Sequence, residues 1–384
     1  MASSHRLQSL DSLRGLAALF VLIGHTLGVF QWPAAYVNWS QWPLLNMVAD
    51  GRSAVTMFFV LSGFVLARPF LTTPGKTIFV PAFYLRRITR IWLPWFFVFI
   101  ASLAARHWLM RDCQTSPRVS DWLNGFWHRH LSWKDLAQQC VFQLHDASRL
   151  MMPQDWSLGV ELKGSALIPV FIVLARRRWP GVWLGMVALL FFIFVHTGSY
   201  YISFIMGVLL ARYSEPWLAR IKGLNFNRKV AVLSLGTAGY EARWVLNYYH
   251  LENRWAEQTV WVISSLGCVL IIAATLSSQR ISHFLTRRPL IFAGQISYSV
   301  YLLQFVILIC FVPPFIRWLN LLGVGPLGLF AATYSSSLVL TLALAWMVYL
   351  GVELPSITLG HWLSRQISPG KNISAVRGPL ESNP

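Results

Sequence analysis

Leu10-Asp11-Ser12-Leu13-Arg14-Gly15-Leu16-Ala17-Ala18-Leu19-Phe20-Val21-Leu22-Ile23-Gly24-His25-Thr26-Leu27-Gly28-Val29-Phe30 decides how the chain is read. The run is long and apolar enough to cross a bilayer, which takes about 20 residues. It nevertheless carries Asp11, Arg14 and His25. Ionisable groups inside a membrane are costly, so they line cavities, pair with one another or do chemistry. On an α-helix, Arg14 and His25 fall about 20° from alignment and ~16 Å apart along the axis. One helix face therefore presents a cation at its start and an imidazole deep in the membrane. That arrangement suits a group transfer from a charged donor.

The composition agrees with a membrane protein. Of the 384 residues, 55% are hydrophobic and 12% charged, about half the charged share of a soluble domain. The formal net charge of +18 would suggest nucleic acid on a soluble protein. Here it reads as Lys and Arg gathered in cytoplasmic loops, with the lipid bilayer as partner and no nucleic acid. No Ala-x-Ala-like cleavage site follows the first apolar run, which reads as a retained span and not a signal peptide. Four cysteines without a Cys-x-x-Cys pair support neither a disulfide scaffold nor a metal site.

Apolar runs near 10–30, 53–70, 91–110, 156–175, 181–197, 199–213, 230–249, 258–277, 290–312 and 326–352 predict an all-α polytopic integral membrane protein of about ten transmembrane helices. Basic residues fall in every second loop: Lys76 to Arg90, Arg176 to Arg178, Arg220 to Lys229, and Arg280 to Arg288. This alternation predicts a multi-pass protein of the inner (plasma) membrane with both termini cytoplasmic. Residues 1–364 form the membrane domain, and 365–384 read as a disordered cytoplasmic tail. The longest outer loop, from about Arg106 to Asp155, holds Trp122, Trp127 and Trp133. It is expected to lie partly on the membrane surface, with Cys113 and Cys140 available for a disulfide. Cys268 and Cys310 read as packing, and the sequence leaves the oligomeric state open.

Taken alone, His25 has a bland reading as a hydrogen-bonding residue between helices. Asp155-Trp156-Ser157-Leu158-Gly159-Val160-Glu161 strengthens the chemical one. Glu161 enters the membrane to a depth like that of His25, where a carboxylate can orient the ring as it takes a hydroxyl proton. The competing reading pairs Glu161 with Arg14 or Lys163 for structure. Tyr84-Leu85-Arg86-Arg87-Ile88-Thr89-Arg90 opens another span. Arg86, Arg87 and Arg90, joined by Arg14, offer guanidinium groups suited to phosphates, although part of that charge is ordinary topology signal. Ser62 and Gly63 suit close helix approach. The hydroxyls between Ser297 and Tyr301 bond between helices or line a cavity.

Leu-Asp-Ser-Leu-Arg-Gly-Leu-Ala-Ala with His25, Phe-Phe-Val-Leu-Ser-Gly-Phe, Arg-Arg-Ile-Thr-Arg-Ile-Trp-Leu-Pro, Trp-Ser-Leu-x-x-Glu and Ile-Ser-Tyr-Ser-Val-Tyr-Leu-Leu occur in this order. Together they resemble acyltransferase family 3, the integral membrane O-acyltransferases. The resemblance implies an acyl-coenzyme A co-substrate, acetyl-CoA by default, bound from the cytoplasm, with no permanently bound cofactor. It also implies a hydroxyl acceptor on a saccharide or glycolipid, as in polysaccharide O-acetylation. The family's arginine–histidine pattern falls on Arg14 and His25, its arginine motif on Arg86, Arg87 and Arg90, and its Trp-Ser-Leu-Ser-Val-Glu-Glu stretch on Trp156 to Leu162. Leu162 stands where many members have a second acid, and Gln304 replaces a frequent His. With no hydrolase-like domain after the membrane part, transfer is expected within the membrane unit or with a separate partner. The alternatives are a secondary transporter of a glycan or glycolipid, for which no inverted repeat is visible, and a structural membrane subunit.

Overall fold

A backbone surrounded by apolar side chains and lipid must satisfy its own N–H and C=O groups, which a helix does within one segment. The computed structural model describes residues 2–31, 43–109, 118–127, 130–144, 150–195, 198–249 and 253–368, and helices account for nearly all of them. In chain order these are α1 (Ala2–Val29), α2 (Pro43–Ala49), α3 (Gly51–Leu71), α4 (Val80–Leu109), α5 (Asp121–Asn124), α6 (Trp133–Cys140), α7 (Asp155–Ala175), α8 (Pro180–Phe194) and α9 (Gly198–Arg212). There follow α10 (Ser214–Gly223), α11 (Phe226–Tyr240), α12 (Ala242–Tyr249), α13 (Arg254–Ser277), α14 (Gln279–Leu285), α15 (Arg288–Gln295), α16 (Ser297–Leu321), α17 (Pro326–Val348) and α18 (Leu354–Ile367). A π-helical turn, Tyr349–Glu353, joins α17 to α18 without a break. Among the described residues no strand forms; the one β-type pairing is an isolated bridge between Phe30 and Val119.

The chain is thus an all-α polytopic membrane protein. Seven of the described stretches are long and apolar enough to cross a membrane: Gln8–Val29, Gly51–Leu71, Val80–Trp108, Asp155–Ala175, Arg254–Ser277, Ser297–Leu321 and Pro326–Ile367. The expected spans near 181–197, 199–213 and 230–249 are shorter as helices. α8, α9 and α11 have 15 residues each, about 23 Å at the helical rise against a core of about 30 Å. The third of these ends where Glu241 caps α11 and α12 begins. α18 carries the helical chain to Ile367, and the tail beyond residue 368 lies outside the described residues, as does Cys113.

Two close crossings set the helix positions. Gly63 on α3 faces the backbone of Phe204 on α9, and Gly207 on α9 faces the backbone of Val60. A Cβ at either glycine would drive into main-chain atoms, so small residues bring these axes together. The second crossing joins α1 to α15. A Cβ on Gly15 would meet Gly294 N at 2.5 Å, and one on Gly294 would meet Asp11 O at 2.5 Å. The core between them is aromatic and fully buried, with Phe59, Phe64, Trp95, Phe99, Phe171, Phe204 and Phe305 each below 3% exposed.

Part of the loop before α7 docks on the bundle. Ser120 N donates to Val29 O at 2.7 Å, Ser120 Oγ to Gly28 O at 2.6 Å, and Gln31 N to Arg118 O at 3.0 Å. These bonds stitch the loop to the end of α1. Trp127 is buried, and its indole N–H donates to Met151 O at 2.9 Å. Trp133, 87% exposed, and Trp122, 41% exposed, keep surface free to lie at an interface. Indole rings have both an apolar body and a donor, so they dock as readily on a helix bundle as on lipid.

A candidate acyl-transfer cavity

The face of α1 predicted from its spacing meets one partner, α16. Near the start of α1, Arg14 lines a cavity of ≈ 150 Å³ together with Ser297, Tyr298 and Tyr301 of α16. Eleven residues further on, the His25 ring packs against Phe305 of α16 edge-on, with centroids 5.9 Å apart. Arg14 and His25 therefore lie along one helix–helix seam.

The inner cavity is completed by α3, α4 and α7, through Phe58 and Ser62, Arg87 and Arg90, and Ser157 and Glu161. α7 is held in register at three positions within its first two turns. Asp155, buried, accepts from Trp95 Nε1 at 2.7 Å and from Gln139 Nε2 at 3.0 Å. Ser157 Oγ shares a hydrogen bond with Tyr301 OH at 2.5 Å. Glu161 forms an ion pair with Arg87 and accepts from Ser62 Oγ at 2.6 Å. Both members of the pair are largely withdrawn from solvent, with side chains 13% and 15% exposed. Arg87 is held further by Ser165 Oγ, 2.7 Å from Nη2 and 3.1 Å from Nε. Lys163 is exposed on another side of α7.

Arg14 is paired with Asp11 at 2.9 Å. Its side chain is 18% exposed, so it is not a snorkelling surface cation. Arg86, Arg87 and Arg90 line a second cavity of ≈ 430 Å³ with Lys76, Phe70 and His361. The two cavities share Val65, Leu66, Arg87 and Arg90 as walls. They adjoin across the arginines: a basic vestibule on one side and a smaller chamber reaching Ser157 and Tyr301 on the other. Arg86 Nη1 is steadied by Ser364 Oγ of α18 at 3.2 Å.

His25 lies beyond the end of that chamber. Gln304 is the polar side chain that acts on its ring, and Gln304 Nε2 donates to Tyr301 O at 3.3 Å. Tyr301, which lines the chamber, and Gln304 are one helical turn apart on α16, ~4.5 Å along the axis. Trp122 of the loop before α7 packs on both rings, its centroid 5.8 Å from the imidazole and 5.5 Å from Phe305. The half-buried ring is bordered by aromatic groups, and Nδ1 is buried without a hydrogen-bond partner. Glu161 Oε2, Gln154 Oε1 and Gln304 Oε1 are likewise buried and unpartnered. Such groups are rare in native interiors and concentrate where a protein does chemistry.

Five of the six residues singled out from sequence thus line the two adjoining cavities, His25 lines neither and stands one turn of α16 beyond Tyr301, and the pairing differs from the expectation. The partners of Glu161 are Arg87 and Ser62, and the ring neighbours of His25 are Trp122, Phe305 and Gln304. The sequence predicts a carboxylate that orients the imidazole; the carboxylate instead meets a cation, because α4 inserts Arg87 between α3 and α7. One further residue, Glu353, escapes the sequence reading, whereas the hydroxyl of Tyr298 bonds between helices as expected. Glu353, 2% exposed, stands in the π-helical turn and accepts from Ser299 Oγ at 2.6 Å. Tyr298 OH donates to Ile91 O at 2.6 Å and fastens α16 to α4 beside the arginines. The sequence does carry a signal for Glu353: a lone acid in an otherwise apolar run.

No curated protein and no solved structure matches the chain significantly. The family model described as an acyltransferase domain matches residues 7–350, a span that includes all six residues singled out from sequence. The chain belongs to acyltransferase family 3.

Proposed function

We propose that the protein transfers an acyl group, acetyl by default, from acyl-CoA to a hydroxyl of a saccharide or glycolipid acceptor. The single observation that supports this most is the pair of adjoining cavities. They lead from a rim of Lys76, Arg86, Arg87 and Arg90 to Tyr301, one turn from the amide that faces His25. A polyanionic donor with a long uncharged arm fits that sequence of surroundings. Its phosphates take the arginines, which bind them bidentately, and its arm threads toward Tyr301. The basic end would then face the cytoplasm, in keeping with the positive-inside rule.

In this reading, His25 Nδ1 accepts the acceptor's hydroxyl proton as the oxygen attacks the thioester carbonyl. The C–O bond forms, the C–S bond breaks, and the leaving thiolate takes the proton back from the imidazolium as free CoA. A positioned base of this kind contributes typically 10²- to 10⁴-fold. Gln304 orients the ring. Glu161 serves the reaction by holding Arg87, and Arg14 adds positive potential over the chamber. Trp122, 41% exposed, offers an aromatic face to the acceptor beside the ring.

Purified protein in lipid nanodiscs, given acetyl-CoA and a mixture of glycan acceptors, should release free CoA and yield acetylated saccharide by mass spectrometry. A secondary transporter would move glycan across a vesicle membrane without releasing CoA. That outcome overturns the proposal.

A further inference from the structure

A second basic recess lies well apart in sequence from the acyl-transfer path, between α10, α11 and α14 and the end of α13. It is a cleft of ≈ 980 Å³, more than twice the vestibule. Lys222, Lys229 and Arg280 converge on it, and none of its lining residues is Asp or Glu. The floor is polar: Ser277, 6% exposed, points a hydroxyl there that has no partner. The outer wall is apolar and open, with Phe226 65% and Val230 45% exposed. Positive-inside charge alone predicts cations on loops. It does not predict three of them around one concavity free of carboxylates, beside an apolar flank.

We infer that this cleft binds the headgroup of an anionic phospholipid from the leaflet at the basic end of the molecule. The phosphate diester takes Lys222, Lys229 and Arg280, the floor hydroxyl of Ser277 donates to a phosphate oxygen, and an acyl chain covers Phe226 and Val230. Basic pockets between helices at a membrane surface are suited to such headgroups. A lipid is favoured over a free phosphate because Phe226 and Val230 gain a cover only from a molecule that carries a hydrocarbon chain. The site is distinct from the donor vestibule, with which it shares no lining residue.

Native mass spectrometry of the full-length protein, extracted from nanodiscs of phosphatidylglycerol and phosphatidylcholine, tests this. The wild type is expected to retain one phosphatidylglycerol in preference to phosphatidylcholine. The double variant Lys222→Gln/Arg280→Gln should bind it roughly thirtyfold more weakly, from the attraction of two basic side chains at an anionic surface. Arg177→Gln/Arg178→Gln removes the same charge from an exposed turn and should leave retention intact. Equal losses in the two variants, or equal retention of the two lipids, would overturn the site. So would inorganic phosphate displacing phosphatidylglycerol, since that would leave the apolar wall without a part in binding. CoA release by the Lys222/Arg280 variant is read alongside: failure of acyl transfer in every sample, with lipid retention as described, leaves the lipid site standing by itself.

Discussion

Removing either partner of the Arg87–Glu161 pair should destabilise the bundle nearly as much as removing both. In Glu161→Leu, Arg87 loses its carboxylate, Ser62 loses its acceptor, and Arg14, Arg87 and Arg90 remain around one small cavity. Each hydrogen bond to a charged group contributes about 1.5–3 kcal/mol, and stripping one partner from a buried pair costs about 3–5 kcal/mol. Both side chains border a polar cavity and keep slight exposure, so the low end, about 3 kcal/mol, applies. Arg87→Met should cost a similar amount, because Glu161 keeps Ser62 alone and its second oxygen is already unpartnered. In the double variant no buried charge is left facing a lost partner. Its cost should fall short of the sum of the two single costs by about 2–3 kcal/mol, a coupling typical of contacting residues. Equilibrium unfolding of all four proteins in mixed micelles, titrated with denaturing detergent, measures this. Additivity within about 0.5 kcal/mol would refute the reasoning and mean that water already screens the pair.

Three more outcomes follow from the same geometry. Gln304→Leu should lower kcat about three- to tenfold with donor KM nearly unchanged, the effect of losing one polar neighbour of the ring; Gln304→His, which keeps a polar group there, should recover part of that loss in the same CoA-release assay. Arg90→Ala should raise donor KM more than acceptor KM in initial-rate measurements, because Arg90 borders both cavities; equal changes would argue against a phosphate-binding rim. Gly207→Val should cost about 1–3 kcal/mol by forcing α3 from α9, seen as a lower thermal midpoint, whereas Gly185→Ala, on the open surface of α8, should leave it unchanged.

Which face of α1 matters is legible in the amino-acid sequence, because the 3.6-residue repeat fixes the angle between Arg14 and His25. Gly63 is legible as a close-approach site for a similar reason: its role depends on its own lack of a side chain. Partner choice is not. Glu161 and His25 enter the membrane to similar depths, but depth leaves azimuth free, and the packing of α4 places Arg87 against the carboxylate. The loop before α7 is only partly legible because tryptophan suits both a lipid interface and a helix bundle; the bonds from Ser120 to the end of α1 tie down its near part. The short helices α8, α9 and α11 read as spans by hydropathy, which counts apolar residues and is blind to where a helix stops.

The central claim is that the donor's reactive end travels from the arginine rim to the imidazole. An acyl-CoA carrying a photoreactive diazirine in its acyl group tests this most directly, with labelled peptides identified by mass spectrometry. Label on His25 or within Tyr301–Phe305 of α16, lost on competition with unmodified acetyl-CoA, is the predicted result. Competed label confined to other helices would show that the acyl group goes elsewhere, and it would contradict the account.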